Sequence, residues 1–363
     1  MKCSIETITP VHIGNGKDYG PSEYYLSKST RDDDILVKTD LNQVFTSLSE
    51  DKKDEFIQHL TDPTFQLGDY LKNVLGKKPP EIKKYIAIVR CKSPQIIEEH
   101  IKTVEKPYIP GSSIKGAIRT AALYNIVSYE DINKIKGLIQ GHGNNNFIKW
   151  GDAQKFQNQF FSNPRMNESY SSIFKFLQVT DTELASFPSI YALVSLKVGQ
   201  NRNEWYSRNG KTVITYAETI GIGRNLNFEI SSSYNPHVHR GLKLDDKADY
   251  IEIGKIKEFL FNFSRDYIDH EISFAQKYNL KFLENFYTKI EEKNELESPL
   301  MRIGHGSGFL STTIGLRLKE EDPETYEMVR KTFRRAYPFE FPKTRKLTGQ
   351  KKPLGWVKVN TYE

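Results

Sequence analysis

Residues 107–119, PYIPGSSIKGAIR, constrain this chain more than any other segment. A proline- and glycine-bearing turn leads into Ser112 and Ser113, whose hydroxyls suit a helix N-cap. Ile114, Ala117, Ile118, Ala121 and Ala122 then fall on one stripe, which predicts an amphipathic helix against a core. Lys115 and Arg119 stand one turn apart on another face. The Gly111-to-Gly116 spacing is that of a phosphate-binding loop. Ala117 and Ile118, however, stand where Lys and Ser or Thr must follow, so nucleotide hydrolysis is excluded. What survives is a helix N-terminus with two nearby cations, fit for a phosphate of a polyanion. The plainer alternative is a capped helix with two solvated basic residues.

The rest of the pattern alternates between the two periods. Residues 4–11, rich in Ile and Thr, read as a strand ending in the turn His12-Ile13-Gly14-Asn15-Gly16. Further strands are expected at 35–38, 174–179, 191–198, 213–216 and 355–359. Helices are expected at 49–60, 65–75, 253–296 and 324–333, and polar loops at 140–146 and 199–210. Strands separated by helices in a two-strand rhythm indicate an α+β fold. The length of 363 residues indicates two units, divided here as 1–180 and 181–363. The alternative is one unit whose strands come from both ends around a large insertion.

Four groups of residues could carry function. The first is Ser112, Ser113, Lys115 and Arg119. The second is Arg302-Ile-Gly304-His305-Gly306-Ser-Gly308-Phe309, where glycine at every second position strips one face of side chains. A backbone or ligand can then lie directly against the chain. A dinucleotide fold would need GxGxxG in a βαβ setting, which is missing. A tight packing crossover is the rival account. Third are His12, His142 and His305, each beside glycines, where a metal-independent ribonuclease could place an acid and a base. Hydrogen-bonded loop histidines would look the same. The pair His237 and His239 lacks further ligands, so no metal site is expected. Carboxylates at 32–34 and 245–246 read as solvated loops, and Asp181 as the cap of a turn after its strand. The fourth group is the basic tract Lys343, Arg345, Lys346, Lys351 and Lys352, with Arg334 and Arg335 upstream. Tyr337, Phe339, Phe341 and Trp356 interleave it, the composition of a single-stranded RNA surface.

Taken in order, these segments resemble the RAMP superfamily of CRISPR RNA-binding proteins. The resemblance is carried by Pro10–Gly16 after the first strand, by the Tyr108–Arg119 block, by Phe176-Leu-Gln-Val-Thr-Asp181, and by the glycine-rich 302–309. Within the superfamily, Gly304–Leu310, Pro342-Lys-Thr-Arg345 and Pro353-Leu-Gly-Trp-Val357 are most similar to the subunits that cap the guide's 3′ end in type III-A Csm complexes. The resemblance implies ferredoxin-like, RRM-related units gripping CRISPR guide RNA, and contact with the repeating backbone subunit and the small subunit. It also implies a part in guide maturation through recruited host ribonucleases. On this reading His12, Gly14, Gly16, Ser112, Ser113, Lys115, Arg119, Arg302, Gly304, His305, Gly306, Gly308, Lys343, Arg345 and Lys346 meet the RNA, with no catalytic residue, metal or cofactor. The functional alternatives are a repeat-RNA endonuclease using His12 or His305, and a scaffold docking only protein partners.

Composition agrees with that setting. The net charge of +6 suits a polyanionic partner without requiring one. Cys3 and Cys91 are too few for a disulfide scaffold. No run approaches the ~20 apolar residues that span a bilayer, and a cytoplasmic protein is expected.

Overall fold

The computed structural model describes residues 1–74, 82–140, 150–163, 165–166, 171–199, 202–331 and 340–362. The expected loop at 140–146 lies outside them except for Gln140, which ends a helix. His142, Arg334, Arg335, Tyr337 and Phe339 also lie outside.

In chain order the strands are β1 (Lys2–Thr7), β2 (Gly14–Tyr19), β3 (Tyr24–Lys28), β4 (Asp34–Thr39), β5 (Lys83–Val89), β6 (Ile97–His100), β7 (Lys102–Thr103), β8 (Lys106–Pro107) and β9 (Leu177–Val179). They continue as β10 (Ser189–Lys197), β11 (Glu204–Trp205), β12 (Ser207–Arg208), β13 (Lys211–Thr212), β14 (Ile214–Thr219), β15 (Asn225–Ser232), β16 (Leu300–Arg302), β17 (Thr344–Thr348) and β18 (Trp356–Tyr362). The helices are α1 (Leu41–Ser47), α2 (Glu50–Leu60), α3 (Leu67–Val74), α4 (Gly111–Ile126), α5 (Tyr129–Gln140), α6 (Trp150–Phe161), α7 (Ile253–Lys277), α8 (Lys281–Glu291), α9 (Gly315–Glu321) and α10 (Pro323–Lys331).

Two sheets organise the molecule. The first is antiparallel, in the order β16-β18-β1-β15-β9. Its path β1–α4–β9–β15–α7–β18, with α4 and α7 packed together, has the βαββαβ connectivity of a ferredoxin-like unit. Alternation along β15 shows why these residues form a strand: Leu226, Phe228 and Ile230 are buried, while Asn225, Asn227, Glu229 and Ser231 are exposed. Ile256, Phe259, Leu260, Phe263 and Tyr267 on α7 recur at three and four residues and are all buried. Each such side chain stabilises the fold by about 1.5–3 kcal/mol. The rings of Tyr124 and Phe263 meet at 4.7 Å where α4 crosses α7.

The second sheet is mixed, in the order β2-β6-β14-β10-β5-β4-β3, with β11 and β17 also paired to β10. A separate core of Val44, Phe56, Leu67 and Leu71 ties α1–α3 to Tyr25 and Val37 of β3 and β4. Both sheets draw strands from either side of residue 180, so a division there separates strands that are hydrogen-bonded to one another.

Several sequence expectations shift in detail. The first strand ends at Thr7 rather than at residue 11. The helix expected over 253–296 is two, parted where Asn279 takes a left-handed φ of 53°. Pro110, not a serine, stands at the N-cap of α4. Asp181, expected as the cap of a turn, reaches across from beyond β9 to accept the N–H of Gly111, the first residue of α4, at 2.8 Å. A Cβ at Gly111 would sit 2.2 Å from the Val179 carbonyl oxygen, so the helix can approach β9 only through glycine. No described helix is long and apolar enough to cross a membrane.

Candidate RNA interface

The outward positions of the first sheet offer bases little to stack on. Along β15 they are Asn225, Asn227, Glu229 and Ser231, and along β1 they are Lys2 and Glu6, with Ser4 between them covered and buried. On β18, Tyr362 bonds the Ser4 hydroxyl at 2.7 Å. RRM-type recognition stacks bases on sheet-face aromatics, and this face is polar with exposed carboxylate. Attention moves to the seam where residues 8–13 cross from the first sheet to the second.

The glycine-rich loop lies on that crossing. φ is positive at Gly304, Gly306 and Gly308 (77°, 81° and 85°). At Gly304 a Cβ would meet the His12 carbonyl oxygen at 2.4 Å, and the His305 N–H donates to that same oxygen at 2.8 Å. The bare glycine face is therefore used for backbone-on-backbone approach, the crossover expected as one of two accounts. The approach places the two imidazoles together, with ring centroids of His12 and His305 5.7 Å apart. The stem of Lys346, from β17, packs over Gly306, and its ammonium donates to the Thr215 hydroxyl at 3.1 Å. Glu98 of β6 closes the group, with Oε2 3.7 Å from His12 Nε2.

His12 is 2% exposed. Its Nδ1 lies 2.6 Å from the Glu218 carbonyl oxygen. That oxygen can only accept, so Nδ1 carries the proton and Nε2 is left as the acceptor on the side of Glu98. Burial pushes this imidazole below its ordinary value, against the opposing bond to Glu218. Burial likewise lowers His305, with the Lys346 charge acting in the same direction. Lys346 is lowered by burial and supported by Glu98. The cleft thus holds two imidazoles biased towards the neutral form beside one ammonium.

Beneath it lies a buried polar network that sequence reasoning missed. The Glu218 carboxylate, 0% exposed, accepts from Tyr19 and Tyr85 hydroxyls at 2.7 Å each. It also accepts from the His100 N–H at 3.1 Å and the Lys102 ammonium at 2.5 Å. His100 Nδ1 accepts the Ile13 N–H, and its Nε2 donates to the Tyr108 carbonyl oxygen at 2.9 Å. Burial lowers this imidazole to about 3. The network holds the crossing chain at Ile13, and the Glu218 backbone holds the His12 ring.

Other expected residues are distributed less uniformly. Gly14 and Gly16 are exposed in the irregular start of β2. Ser112 is exposed, while Ser113 and Lys115 are half-buried. Arg119 donates to Gln157 at 2.7 Å, stacks 4.8 Å from the Phe161 ring, and lines a cavity of about 350 Å3 with Phe309 and Thr312. Lys343 is half-buried at the edge of β17. Arg302 and Arg345 require correction, because both guanidinium groups are buried and engaged internally. Arg302 donates to the carbonyl oxygens of Leu354 and Gly306 and to the Tyr267 hydroxyl, bracing the glycine loop from beneath. Arg345 pairs with Glu271 at 2.7 Å and lies 3.7 Å over the Phe274 ring. Neither can reach a phosphate in solvent. Among the described residues no group of three His, Cys, Asp or Glu is placed to hold a metal.

Known proteins share this architecture. A CRISPR system Cms protein Csm5 from Methanocaldococcus jannaschii is 26% identical over 382 aligned positions, covering all of this chain and 82% of that protein. A protein of the same name from Streptococcus thermophilus is 23% identical over 253 residues, 64% of each. A chain from the cryo-EM structure of a type III-A Csm–crRNA–target RNA ternary complex matches with a TM-score of 0.72 at 22% identity, covering 99% of this chain and all of that one. The crystal structure of T. onnurineus Csm5 matches with a TM-score of 0.64 at 20% identity, covering 98% and 99%. The model of the RAMP superfamily matches residues 4–311, and the chain belongs to that superfamily.

Proposed function

We propose that this chain is a guide-RNA-holding subunit of a cytoplasmic type III-A CRISPR effector ribonucleoprotein and performs no chemistry of its own. It caps the guide's 3′ end, contacts the repeating backbone and small subunits, and supports guide maturation by recruited host ribonucleases. The observation that carries this reading is the 26% identity to a Csm5 protein over the whole chain. The cleft supplies the physical support. Lys346 and His305 flank a glycine loop at the surface, and such contacts position a backbone without reading sequence, as a subunit accepting many guides requires. The test is guide length on a denaturing gel, from complexes purified with and without this subunit. Longer, unprocessed guides only when the subunit is absent support capping. No change opposes it.

The convergence of His12 and His305 favours one second reading, a metal-independent endoribonuclease. One imidazole would take the 2′-OH proton as that oxygen attacks phosphorus, while the other protonates the departing 5′-oxygen. Both imidazoles are held below their ordinary value, so the protonated acid is scarce at neutral pH, and His12 is buried more deeply than Arg302 or Arg345; the binding reading leads. Guide or repeat cleavage that persists in chelator and is lost in His12→Ala/His305→Ala would reverse that order.

A further inference from the structure

A second basic surface stands apart from the cleft. On α8, Phe282, Phe286 and Lys289 recur at four and three residues and so share one face, and Lys293 lies in the turn just beyond the helix end. Lys351 and Lys352, in the turn between β17 and β18, face them across a groove of about 450 Å3. Both rings are half-buried, and all four lysines are exposed. The Lys351 ammonium lies 5.5 Å from the centre of the Phe282 ring.

The charge around this groove is one-sided. Neighbouring lysines are paired: Lys281 with Glu284, Lys358 with Glu295 and Lys257 with Glu297. None of the four groove lysines has a carboxylate within ion-pair distance among the described residues. The helical period carries Glu284 and Glu291 to the far side of α8. Four unneutralised ammonium groups repel one another, a cost that a polyanion along the groove relieves. Cations over a floor of half-exposed rings are what single-stranded nucleic acid requires, with phosphates on the rim and bases against the π-faces. An acidic protein segment would use the lysines but has no need of the rings.

We propose that this groove binds a single-stranded RNA segment, with Lys289, Lys293, Lys351 and Lys352 on its phosphates and bases stacked on Phe282 and Phe286. The identity of the polyanion rests on the RNA-binding function proposed above. The groove lies close to the glycine loop: Ile8 lines the groove, His12 packs on the loop, and four residues of chain span at most ~14 Å. On the other side, Lys346 and Lys351 lie at and just beyond the same strand, β17.

The test uses the full chain and a fluorescently labelled single-stranded oligouridine, with anisotropy titrations between about 50 and 200 mM salt. Each phosphate contact on a single strand contributes about 0.7 to the slope of log K against log salt. Changing all four lysines to glutamine is expected to flatten that slope by about 3. Over this fourfold salt range the wild type then loses about 50-fold more affinity than the variant. Phe286→Leu keeps an apolar side chain on the core while removing the π-face. It is expected to weaken oligouridine about fivefold or more and to leave inorganic polyphosphate binding unchanged. An unaltered salt slope in the quadruple variant, with the wild type binding RNA, overturns the groove and leaves the RNA-binding function standing. A wild type that binds no RNA at low salt overturns both. Displacement of RNA by polyglutamate together with a neutral Phe286→Leu assigns the groove to an acidic protein segment and overturns the proposal.

Discussion

Glu218→Gln is the most demanding test of how the cleft is held. The carboxylate is fully buried and receives four donors, from Tyr19, Tyr85, the His100 backbone and Lys102. Glutamine keeps the size and lets its oxygen serve both tyrosines. Its NH2 group, however, would face the His100 N–H and the Lys102 ammonium, which are also donors. Removing one partner of a buried ion pair costs about 3–5 kcal/mol. Lys102 retains Glu99 at 2.9 Å, which places the expected loss near the lower end, about 3 kcal/mol. At roughly 2 °C per kcal/mol for a chain of this size, Tm falls by about 6 °C. The assay is thermal unfolding followed by circular dichroism, beside RNA anisotropy, since the Glu218 carbonyl also orients His12. The double variant Glu218→Gln/Lys102→Met removes both charges and should be less destabilised than Glu218→Gln alone. A Tm change below about 2 °C in the single variant, or a double variant that is worse, would refute the account of the network as the cleft's anchor.

Two other outcomes follow from the geometry. Burial holds His100 at about 3 and His270 at about 4, so the unfolded chain binds more protons than the native one between those values and about 6.5. Stability therefore falls as pH drops through that window, by up to about 2.7 kcal/mol per unit while both groups contribute, as read from urea midpoints. A midpoint that does not move between pH 6.5 and 5 would contradict this. Gly304→Ala combines left-handed strain with a 2.4 Å clash against His12, whereas Gly308→Ala meets open space. The first should lower Tm more and weaken RNA binding, and equal effects would show that close approach is not what the glycine serves.

The sequence made some of this legible because the signal was local. The helix beginning at Gly111 could be read from its stripe, and the alternating glycines announced a close approach whose partner, His12, they could not name. Arg345 was misread for a reason that β17 makes plain. A strand's pleat sends alternate residues to opposite faces, so Arg345 turns inward with Leu347 while Lys346 turns to the cleft. Composition sums the three and loses the division. The donors of the Glu218 carboxylate lie 116 positions away and more, and no local pattern marks a carboxylate whose donors lie on other strands. The α8 stripe was within reach. Reading residues 253–296 as one helix carried the register past Asn279, where the chain restarts, and hid the face shared by Phe282, Phe286 and Lys289.

Where the cations ended up bears on what kind of RNA contact this chain can make. Arginine binds phosphate bidentately in a fixed plane, and lysine as a flexible point charge. Here Arg302 and Arg345 are spent on carbonyls, a tyrosine and Glu271 inside the fold, while the cleft presents Lys346 and the groove four more lysines. On the proposed function this division is coherent. Rigid guanidinium forks brace a loop that must keep one shape. The outward ammonium groups follow a backbone whose bases change from guide to guide, so affinity should depend steeply on salt and weakly on sequence.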